Sequence, residues 1–442
     1  MAADKGEAYG IVWTPNCTPD TLQLPVTLAP RSGCYWYKAR PGDYLSKVAW
    51  LAGIPLGRFM LENTDQVKDL DAPLHGKQLL LCKPKQGAYK VPGSNSTGLC
   101  DPQLEALLAV KASVDSAGVL LGWTRANGAS SGYCKWKGVV CTKGTTSVYW
   151  INIGTGPGIQ GLKGTLPPAA AFAGLSALTE VNISDQPGIT GTLPADWSRM
   201  MQLQDIKLKN NSLTGSIPST WSSLSKLQLL QLHTNKLSGR IPDSLGALTS
   251  LEDVGLQDNV LSGTIPDLSK LSKLKLLYLW QNNLSGRIPE SLKVLTSLQT
   301  LDLSENALSG TLPAWLGGLS QLQLLNLHTN KLSGSIPSSL GRLTRLRFLY
   351  LGNPGLGGGN QLVGTLPDAL KMLAALEEVD LAKSQLVGSV PRSWSSMRKL
   401  GKVWLFQSPQ LEGCLPASWK QQLAGFDVEQ WVYAGTNIKG FC

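Results

Sequence analysis

A repeated unit of 24 residues runs through the middle of the chain and constrains its fold more than any other feature. The first leucine of the unit recurs in steps of 24 residues, with one step of 23. Its positions are Leu203, Leu227, Leu251, Leu274, Leu298, Leu322 and Leu346. A fixed period in this range is typical of a solenoid, in which each unit is one coil that packs only against the coils before and after it.

Every unit has the same internal order. Leucine dominates its first, fourth, sixth and eleventh places, asparagine fills the ninth, and glycine and proline shape a second bend near the thirteenth and sixteenth. The LxxLxL segment alternates as a strand does, so we expect its leucines to face a shared core. Because asparagine both donates and accepts hydrogen bonds, a column of asparagines is expected to satisfy backbone groups where each coil turns. The column contains Asn211, Asn235, Asn259, Asn282, Asn306 and Asn330.

This order of leucine, asparagine, glycine and proline resembles the plant-type leucine-rich repeat, the subclass marked by LxGxIP. The resemblance implies an α/β fold, in which a curved, right-handed solenoid of about 11 coils covers residues 148–413. One step, from Leu346 to Leu376, is 30 residues long. Its extra Gly-rich stretch predicts a projecting loop, which is either functional or a tolerated insertion.

Both ends of the repeats resemble the caps of plant-type leucine-rich repeat ectodomains. At the N-terminal end, residues 99–147 contain a helical pattern and the segment CKWKGVVC. At the C-terminal end, residues 414–442 run from a cysteine shortly after the last repeat to a final cysteine. Caps are physically required because the terminal coils would otherwise expose their leucines. The resemblance implies disulfides Cys134–Cys141 and Cys414–Cys442.

A separate module precedes the repeats. Residues 31–86 predict a strand CYWYK, two short helices and a last strand from Gln78 to Leu81. This βααβ order, with GDYLSKVA between the first strand and first helix, resembles a LysM module. We expect an irregular segment over residues 1–30 and a flexible linker over residues 87–98. If the two strands pair antiparallel, Cys34 lies beside Cys82 and can form a disulfide; by elimination, Cys17 would pair with Cys100.

The LysM resemblance implies a glycan site. LysM modules bind glycans that contain N-acetylglucosamine, such as chitin, in a groove between two loops. Two departures count against a working site, since Tyr44 stands where a small hydroxyl residue is usual and no proline follows Asn63. A LysM scaffold that binds no glycan is therefore the alternative. The implied glycan-binding residues are Gly42, Asp43, Tyr44, Leu45, Thr64, Asp65, Gln66 and Val67.

Composition points to an extracellular protein. The even set of eight cysteines lies outside the regular repeats, as in disulfide-bonded proteins of oxidising compartments. The segment MAADKGEAYG has no apolar region of the kind that a secretion signal needs. The sequence is therefore a fragment, begins at a wrongly assigned start, or belongs to a protein exported by another route, and of these we favour a missing leader. No apolar stretch is long enough to span a membrane. Sequons predict glycosylation at Asn16, Asn95, Asn182, Asn210 and Asn283.

Charge and catalytic motifs limit the functional classes. The net charge of +10 favours acidic partners such as a pectin-like polysaccharide or a membrane surface, but no basic run indicates nucleic acid. The sequence has three histidines and no catalytic, metal-binding or cofactor motif, so we expect neither an enzyme nor a cofactor. His233 and His328 share the phrase LHTNKLSG, which indicates internal duplication and not a pair of ligands.

The outward residues of the strands are the binding candidates on the concave face. Several are aromatic or charged where the repeat needs no leucine, which suits protein anchoring or sugar stacking. The alternative is that the rings pack on each other or on a neighbouring segment. The candidates are Lys207, Lys209, His233, Tyr278, Trp280, His328, Phe348, Tyr350, Trp404 and Phe406.

Three functional hypotheses follow for a protein of the cell wall or cell surface. In the first, a soluble receptor-like protein or receptor ectodomain captures a chitin-like glycan and binds a protein or peptide on its concave face. In the second, the solenoid inhibits wall-degrading hydrolases, since it resembles polygalacturonase-inhibiting proteins, and the LysM module anchors it to the wall. In the third, both modules only adhere. The combination of modules suggests a plant or green alga.

Overall fold

The computed structural model describes residues 101–154, 159–353 and 359–442, apart from the side chains of residues 129–131, and the backbone of four strands before residue 101. The chain divides into two compact units, Met1–Glu105 and Ala106–Cys442. None of the helices in the described ranges has the length and apolar character that crossing a membrane requires.

The first unit contains a four-stranded antiparallel sheet with its strands in chain order. The strands are β1 (Ala8–Ile11), β2 (Gln23–Leu28), β3 (Cys34–Lys38) and β4 (Gln78–Cys82). The register of β3 and β4 places Cys34 directly opposite Cys82, as expected from the sequence. The expectation of an irregular segment over residues 1–30 is wrong, because β1 and β2 lie within it. The alternation of apolar residues from Leu24 to Leu28 is a strand signal that the proline between them obscures.

A helical cap precedes the solenoid. Helix α1 (Pro102–Val114) begins after Asp101, whose Oδ1 accepts hydrogen bonds from the backbone N–H groups of Gln103 (2.9 Å) and Leu104 (3.3 Å). An aspartate in this position satisfies helix donors that have no partner inside the helix. One face of α1 is fully buried through Leu107, Val110 and Val114.

The rest of the cap closes the first coil. It consists of helix α2 (Arg125–Gly128), a 3₁₀ helix (Ala129–Lys135) and strand β5 (Val139–Cys141), with a disulfide between Cys134 and Cys141. The rings of Trp123 and Trp136 are stacked with centroids 5.3 Å apart. Strand β5 then pairs antiparallel with the first strand of the repeats, so the cap also covers the end of the sheet.

Two long sheets form the solenoid and confirm the predicted fold class. In the first sheet, eleven parallel strands follow β5, one for each expected coil. Each directs an aliphatic residue inward that is at most 1% exposed. The strands are β6 (Val148–Asn152), β8 (Glu180–Asn182), β10 (Asp205–Lys207), β12 (Leu229–Gln231), β14 (Asp253–Gly255), β16 (Leu276–Tyr278), β18 (Thr300–Asp302), β20 (Leu324–Asn326), β22 (Phe348–Tyr350), β24 (Glu378–Asp380) and β26 (Lys402–Trp404).

The second sheet follows the LxGxIP segments of the same coils. Its strands end near glycines in the left-handed region, such as Gly239 (φ 77°) and Gly310 (φ 87°), which turn the chain away from the sheet. The strands are β7 (Lys163–Thr165), β9 (Gly188–Thr192), β11 (Ser212–Gly215), β13 (Lys236–Arg240), β15 (Val260–Gly263), β17 (Asn283–Gly286), β19 (Ala307–Thr311), β21 (Lys331–Gly334), β23 (Gln361–Thr365), β25 (Gln385–Ser389), β27 (Leu411–Leu415) and β28 (Asn437–Phe441).

Short 3₁₀ helices, which the repeat pattern did not predict, complete most coils. Each begins directly after a proline, whose fixed φ suits a helix start. The described coil between Gly263 and Leu276, which is one residue shorter than its neighbours, has no such helix. The helices are Ala169–Phe172, Ala195–Arg199, Ser219–Ser223, Asp243–Ala247, Glu290–Val294, Ala314–Gly318, Ser338–Arg342, Asp368–Met372 and Arg392–Ser396.

The asparagine column has the role expected from the sequence. Asn259 is representative: its Oδ1 accepts a hydrogen bond from the N–H of Leu237 in the preceding coil (2.9 Å). Its Nδ2 donates to the carbonyl of Leu232 in that coil (3.2 Å) and to the carbonyl of Leu256 in its own (3.1 Å). Each asparagine therefore joins two successive coils and supplies hydrogen bonds to buried backbone groups that water cannot reach.

The insertion between β22 and β23 is closed at its base by asparagines. Nδ2 of Asn353 donates to the carbonyls of Asn360 (2.9 Å) and Lys383 (3.1 Å), and its Oδ1 accepts from the N–H of Asn360 (2.7 Å). Asn360 resumes the asparagine column, because its Nδ2 donates to the carbonyl of Leu327 (2.9 Å). Residues 354–358 of the predicted loop lie outside the described residues.

A second cap covers the last coil. It contains helix α3 (Trp419–Gln422), a π-helical turn (Glu429–Tyr433) and β28, which pairs with β27. A disulfide joins Cys414 to Cys442. Trp419 is fully buried, and its ring lies 6.3 Å from that of Trp394 in the preceding coil. This cap therefore continues the core past the last repeat.

Candidate functional site

The solvent side of the first sheet, which we call the concave face, presents three outward residues for each coil. In the coil of β10 these are Asp205, Lys207 and Lys209, on either side of the buried Ile206 and Leu208. Parallel strands lie about 4.8 Å apart, so equivalent side chains of successive coils form columns. The candidates predicted from the sequence occupy these columns, mostly the second and third.

The two lysine candidates are paired within the protein. Nζ of Lys207 lies 2.9 Å from Oε1 of Glu180 and 3.3 Å from Oδ2 of Asp205. Burial alone would lower the pKa of Lys207, but the hydrogen bonds and charges of these two carboxylates outweigh burial and raise the pKa. Nζ of Lys209 lies 3.8 Å from Oδ1 of Asp185. Neither ammonium is therefore an isolated positive charge.

Tyr278 and Trp280 are two outward aromatic side chains of the same coil, at the centre of the face. Both are partly exposed, and in the described part of the chain neither ring stacks on another aromatic ring. The register of β14 and β16 places Gly255 directly beside Tyr278. Gly255 is buried, and a Cβ atom on it would lie 3.2 Å from Oε1 of Gln257 and 3.5 Å from Cδ2 of His233, so neighbouring side chains fill this position.

The two histidine candidates have the same local geometry. Nδ1 of His233 lies 3.3 Å from Oγ1 of Thr234, and Nδ1 of His328 lies 2.9 Å from Oγ1 of Thr329. Burial lowers the pKa of both imidazoles, which are therefore neutral near pH 7. Among the residues that the structure describes, no three His, Cys, Asp or Glu side chains are grouped to hold a metal ion.

At the C-terminal end of the face, aromatic candidates pack against the cap. The ring of Phe406 lies 5.5 Å from that of Trp431, and the ring of Trp404 lies 5.4 Å from that of Phe426. Phe406 is only 9% exposed, so its prediction as a binding residue is wrong. The repeat pattern could not indicate this contact, because both covering rings come from the cap and not from another repeat.

Phe348 and Tyr350 pack on each other, with ring centroids 6.3 Å apart, and Tyr350 also contacts Trp404 at 6.4 Å. The hydroxyl of Tyr350 donates a 2.6 Å hydrogen bond to Oε2 of Glu378. Burial, followed by this hydrogen bond to a carboxylate, raises the pKa of Tyr350. The alternative of mutual packing therefore describes these rings, whereas the rings of Tyr278 and Trp280 are partly exposed and stack on no aromatic ring in the described part of the chain.

Two aspartates, which were not among the predicted site residues, lie in the second outward column: Asp302 is half-buried and Asp380 is 6% exposed. Oδ1 of Asp302 accepts hydrogen bonds from the hydroxyl (2.6 Å) and the N–H (3.1 Å) of Ser304, and burial raises the pKa of the carboxyl. Burial likewise raises the pKa of Asp380 to about 6, although its Oδ1 accepts from the N–H of Ala382 (2.9 Å). An outward position therefore does not guarantee a solvated side chain.

The predicted glycosylation sites differ in accessibility. Asn182 is 6% exposed, and its Oδ1 accepts a hydrogen bond from the N–H of Ser184 (3.1 Å). An oligosaccharide cannot be attached to a side chain enclosed in this way, so the prediction for Asn182 is wrong. Asn210 and Asn283 are exposed and stay predictions.

The predicted glycan site lies outside the described residues. The same holds for the helices expected between β3 and β4, for the Cys17–Cys100 pair, and for the sequons at Asn16 and Asn95. The undescribed glycan-site residues are Gly42, Asp43, Tyr44, Leu45, Thr64, Asp65, Gln66 and Val67.

Family models match the solenoid and its first cap. Residues 100–142 match the leucine rich repeat N-terminal domain, and residues 296–356 match a leucine rich repeat model. A second leucine rich repeat model matches residues 202–224, 226–248 and 273–295. A comparison with curated protein sequences finds no significant match.

Solved structures of plant receptors are similar to this chain. The ectodomain of the membrane receptor kinase GASSHO1/SCHENGEN3 from Arabidopsis thaliana, in complex with CASPARIAN STRIP INTEGRITY FACTOR 2, is 30% identical, with a TM-score of 0.62 over 72% of this chain and 40% of that one. The Arabidopsis receptor kinase HAESA, in complex with the peptide hormone IDA and the co-receptor SERK1, is 30% identical, with a TM-score of 0.59. The match covers 72% of this chain and 55% of the HAESA chain.

A plant ice-binding protein shares the fold alone, at 23% identity and a TM-score of 0.58 over 78% of this chain and 96% of that one. The present chain spans about half or less of the receptor chains, from 40% to 55% of their length. Leucine-rich repeat ectodomains of the receptor-like class are generally non-enzymatic. From residue 100 onward, the chain thus has the fold of a leucine-rich repeat solenoid, its first cap matches the leucine rich repeat N-terminal domain, and the solenoid is similar to plant receptor ectodomains.

Proposed function

We propose that this protein is an extracellular recognition protein that binds a peptide or protein partner on its concave face. The observation that carries the proposal is the presence of two partly exposed aromatic side chains, Tyr278 and Trp280, on one coil at the centre of this face. Amphipathic rings that stay partly exposed on a concave surface are typical anchors for a partner. The similar receptor kinase HAESA, whose structure contains the peptide hormone IDA, supports the same choice of ligand.

Replacing Trp280 with alanine is expected to weaken peptide binding about 30-fold, since a central anchor of an interface contributes about 2 kcal/mol. Peptides would first be selected from a random library against the full chain. Their Kd would then be measured for the unaltered protein and for Trp280→Ala and Tyr278→Ala.

Leu121→Ala is the matched control, because Leu121 is 79% exposed but belongs to the N-terminal cap. Equal Kd values for all four proteins would place the selected peptides elsewhere and overturn the proposed surface. If no peptide were selected but a folded wall-degrading hydrolase were bound and inhibited, the inhibitor hypothesis would replace this one.

The proposal includes a second, glycan-binding function for residues 31–86. The support is the LysM resemblance together with the antiparallel pairing of β3 and β4, the strands expected to begin and end the module. A recognition protein with this module would be held at a surface rich in N-acetylglucosamine while its solenoid samples peptides.

Retention of the full chain on insoluble chitin is expected, and Tyr44→Ala is expected to reduce it, because a tyrosine ring in the groove can stack on a sugar. Tyr89→Ala, in the linker, is the control and should be retained like the unaltered protein. Unchanged retention of Tyr44→Ala would move glycan binding away from Tyr44. No retention of any of the three proteins would exclude the glycan function.

A further inference from the structure

Two arginines on the solvent side of the second sheet occupy one column and share one geometry. Arg240 ends β13, and Arg287 follows β17 at the equivalent place two coils further along. Both side chains are exposed and extend over a left-handed glycine of the next coil, Gly263 or Gly310. A Cβ atom on Gly263 would lie 2.9 Å from Cγ of Arg240, and one on Gly310 would lie 3.1 Å from Cγ of Arg287. Since only glycine leaves this space free, the sheet itself orients the two arginines in the same way.

The surroundings of the two guanidinium groups are positive. In the part of the chain that the structure describes, neither arginine forms an ion pair. From β9 to β25, the strands of this sheet contain no acidic residue, and their only charges apart from Arg240 belong to Lys236 and Lys331. The next acidic residues after the two arginines, Asp243 and Glu290, lie beyond a proline in the 3₁₀ helices, and Glu290 is paired with a lysine of its own helix. This side of the sheet therefore attracts an anionic partner.

Serine hydroxyl groups form the neighbouring column of the same side. Ser262, Ser285 and Ser309 are partly exposed, and each donates its hydroxyl hydrogen to the carbonyl of a glycine in the preceding coil (3.4 Å each). Because each hydrogen is engaged within the protein, the lone pairs of the oxygen are left as acceptors. The surface therefore combines charged donors with neutral acceptors.

This combination distinguishes between classes of polyanion. A guanidinium binds a carboxylate through two parallel N–H donors. The serine acceptors match a ligand with hydroxyl donors, which every unit of a uronic acid polymer supplies. From β9 to β25, the strands of this sheet contain no aromatic residue on which a nucleic acid base could stack. A polysaccharide with carboxylates therefore fits both columns.

We propose that this surface, which we call the arginine–serine face, binds a polysaccharide of uronic acid units that runs along the stacking direction of the coils. The strands of the two arginines lie about 10 Å apart, two spacings of about 4.8 Å, so one extended polymer with a carboxylate on every unit contacts both. This function goes beyond peptide recognition, which uses the other sheet. The face consists of Arg240, Ser262, Ser285, Arg287 and Ser309.

Fluorescence anisotropy of an end-labelled oligogalacturonate, titrated with the full chain, tests the face. The protein is made without glycosylation, because the sequon residue Asn283 lies on β17. Saturable binding is expected at about 0.1 M salt, where charges more than about 10 Å away are largely screened. Arg240→Gln/Arg287→Gln should weaken it at least about tenfold, because two charge-assisted contacts are lost. The methyl-esterified oligomer, which keeps hydroxyl groups but has no charge, should bind the unaltered protein at least about tenfold more weakly.

A third arginine in the same column should strengthen binding. Thr264 lies in this column between the two arginines, and its Cγ2 would be 2.9 Å from a Cβ atom on Gly286, which is the arrangement of the arginines over their glycines. Thr264→Arg therefore adds a guanidinium in the same orientation and should tighten binding about fivefold.

Arg342→Gln/Arg398→Gln is the matched control, because it lowers the net charge by the same amount as Arg240→Gln/Arg287→Gln. Arg342 ends one 3₁₀ helix and Arg398 follows another, and both are exposed. This variant should bind the oligomer within about twofold of the unaltered protein. Unchanged thermal unfolding of each variant shows that it is folded.

Equal weakening in the two double variants would show that net charge alone attracts the polymer, and would overturn the proposal. Unchanged binding in Arg240→Gln/Arg287→Gln, no gain in Thr264→Arg, equal binding of the esterified oligomer, or no binding at all would also overturn it. Tighter binding of a DNA duplex, or of vesicles that contain phosphatidylserine, would assign the face to nucleic acid or to a membrane surface instead.

Discussion

Replacing Asn282 with alanine is expected to lower the free energy of unfolding by about 3 kcal/mol. Its Oδ1 accepts a hydrogen bond from the N–H of Leu261 (3.0 Å), and its Nδ2 donates to the carbonyls of Leu256 and Leu279 (3.1 Å each). Asn282 is 8% exposed, so water cannot replace these bonds. Denaturant unfolding of the full chain would measure the loss as a lower midpoint.

The adjacent Asn283→Ala is the control for this loss. Asn283 is exposed and belongs to a sequon, so both variants are compared in protein made without glycosylation. A surface change of this kind should alter the unfolding free energy by less than about 0.5 kcal/mol. If Asn282→Ala were as stable as Asn283→Ala, the asparagine column would not hold successive coils together.

The asparagine column also shows why so much of the solenoid was predictable. A residue such as Asn259 has the same neighbours in every coil, because each coil packs against copies of itself. The periodic positions of leucine and asparagine therefore carry both the local structure and the packing. The count of coils follows from the same argument, since each first-sheet strand is one repeat.

Features that depend on contacts outside the repeat could not be predicted in this way. Phe406 looks like an exposed ring in the repeat pattern, but it is covered by Trp431 of the C-terminal cap. Asn182 has the sequence of a glycosylation site, but its side chain is enclosed near the N-terminal end of the sheet. The residue before each asparagine is left-handed even when it is Thr234 (φ 55°), a residue type that rarely adopts this conformation.

The candidate site lies between these two cases. The sequence shows that Tyr278 and Trp280 are outward and that Gly255 precedes Tyr278 in the same column. It does not show that the side chains of Gln231, His233 and Gln257 close around this glycine, because this depends on their rotamers. Periodicity thus locates a binding face, whereas tertiary packing determines its chemistry.

Replacing Asp380 with asparagine is expected to stabilise the protein above pH 6 by up to about 3 kcal/mol. Burial raises the pKa of this carboxyl from 3.8 to about 6 in the folded protein. The folded state therefore binds the proton more tightly than the unfolded state, so stability falls as the pH rises from about 4 to about 6. Asparagine can still accept the hydrogen bond from the N–H of Ala382 but carries no charge to bury.

The pH dependence separates this effect from a general gain in packing. Below about pH 4 the aspartate is protonated in both states, so Asp380→Asn and the unaltered protein should have nearly equal unfolding free energies there. The difference between their unfolding free energies should grow between pH 4 and pH 6 and stay constant above pH 6. The control variant Glu412→Gln, at an exposed position, should have the same unfolding free energy as the unaltered protein at every pH. A gain in stability that is the same at pH 4 and pH 7 would show that charge burial at Asp380 is not its cause.

Tyr350, Glu378 and Lys402 form a hydrogen-bonded group beside Asp380. A loss of stability in Asp380→Asn at every pH would therefore assign the Asp380 carboxylate a structural role in that group.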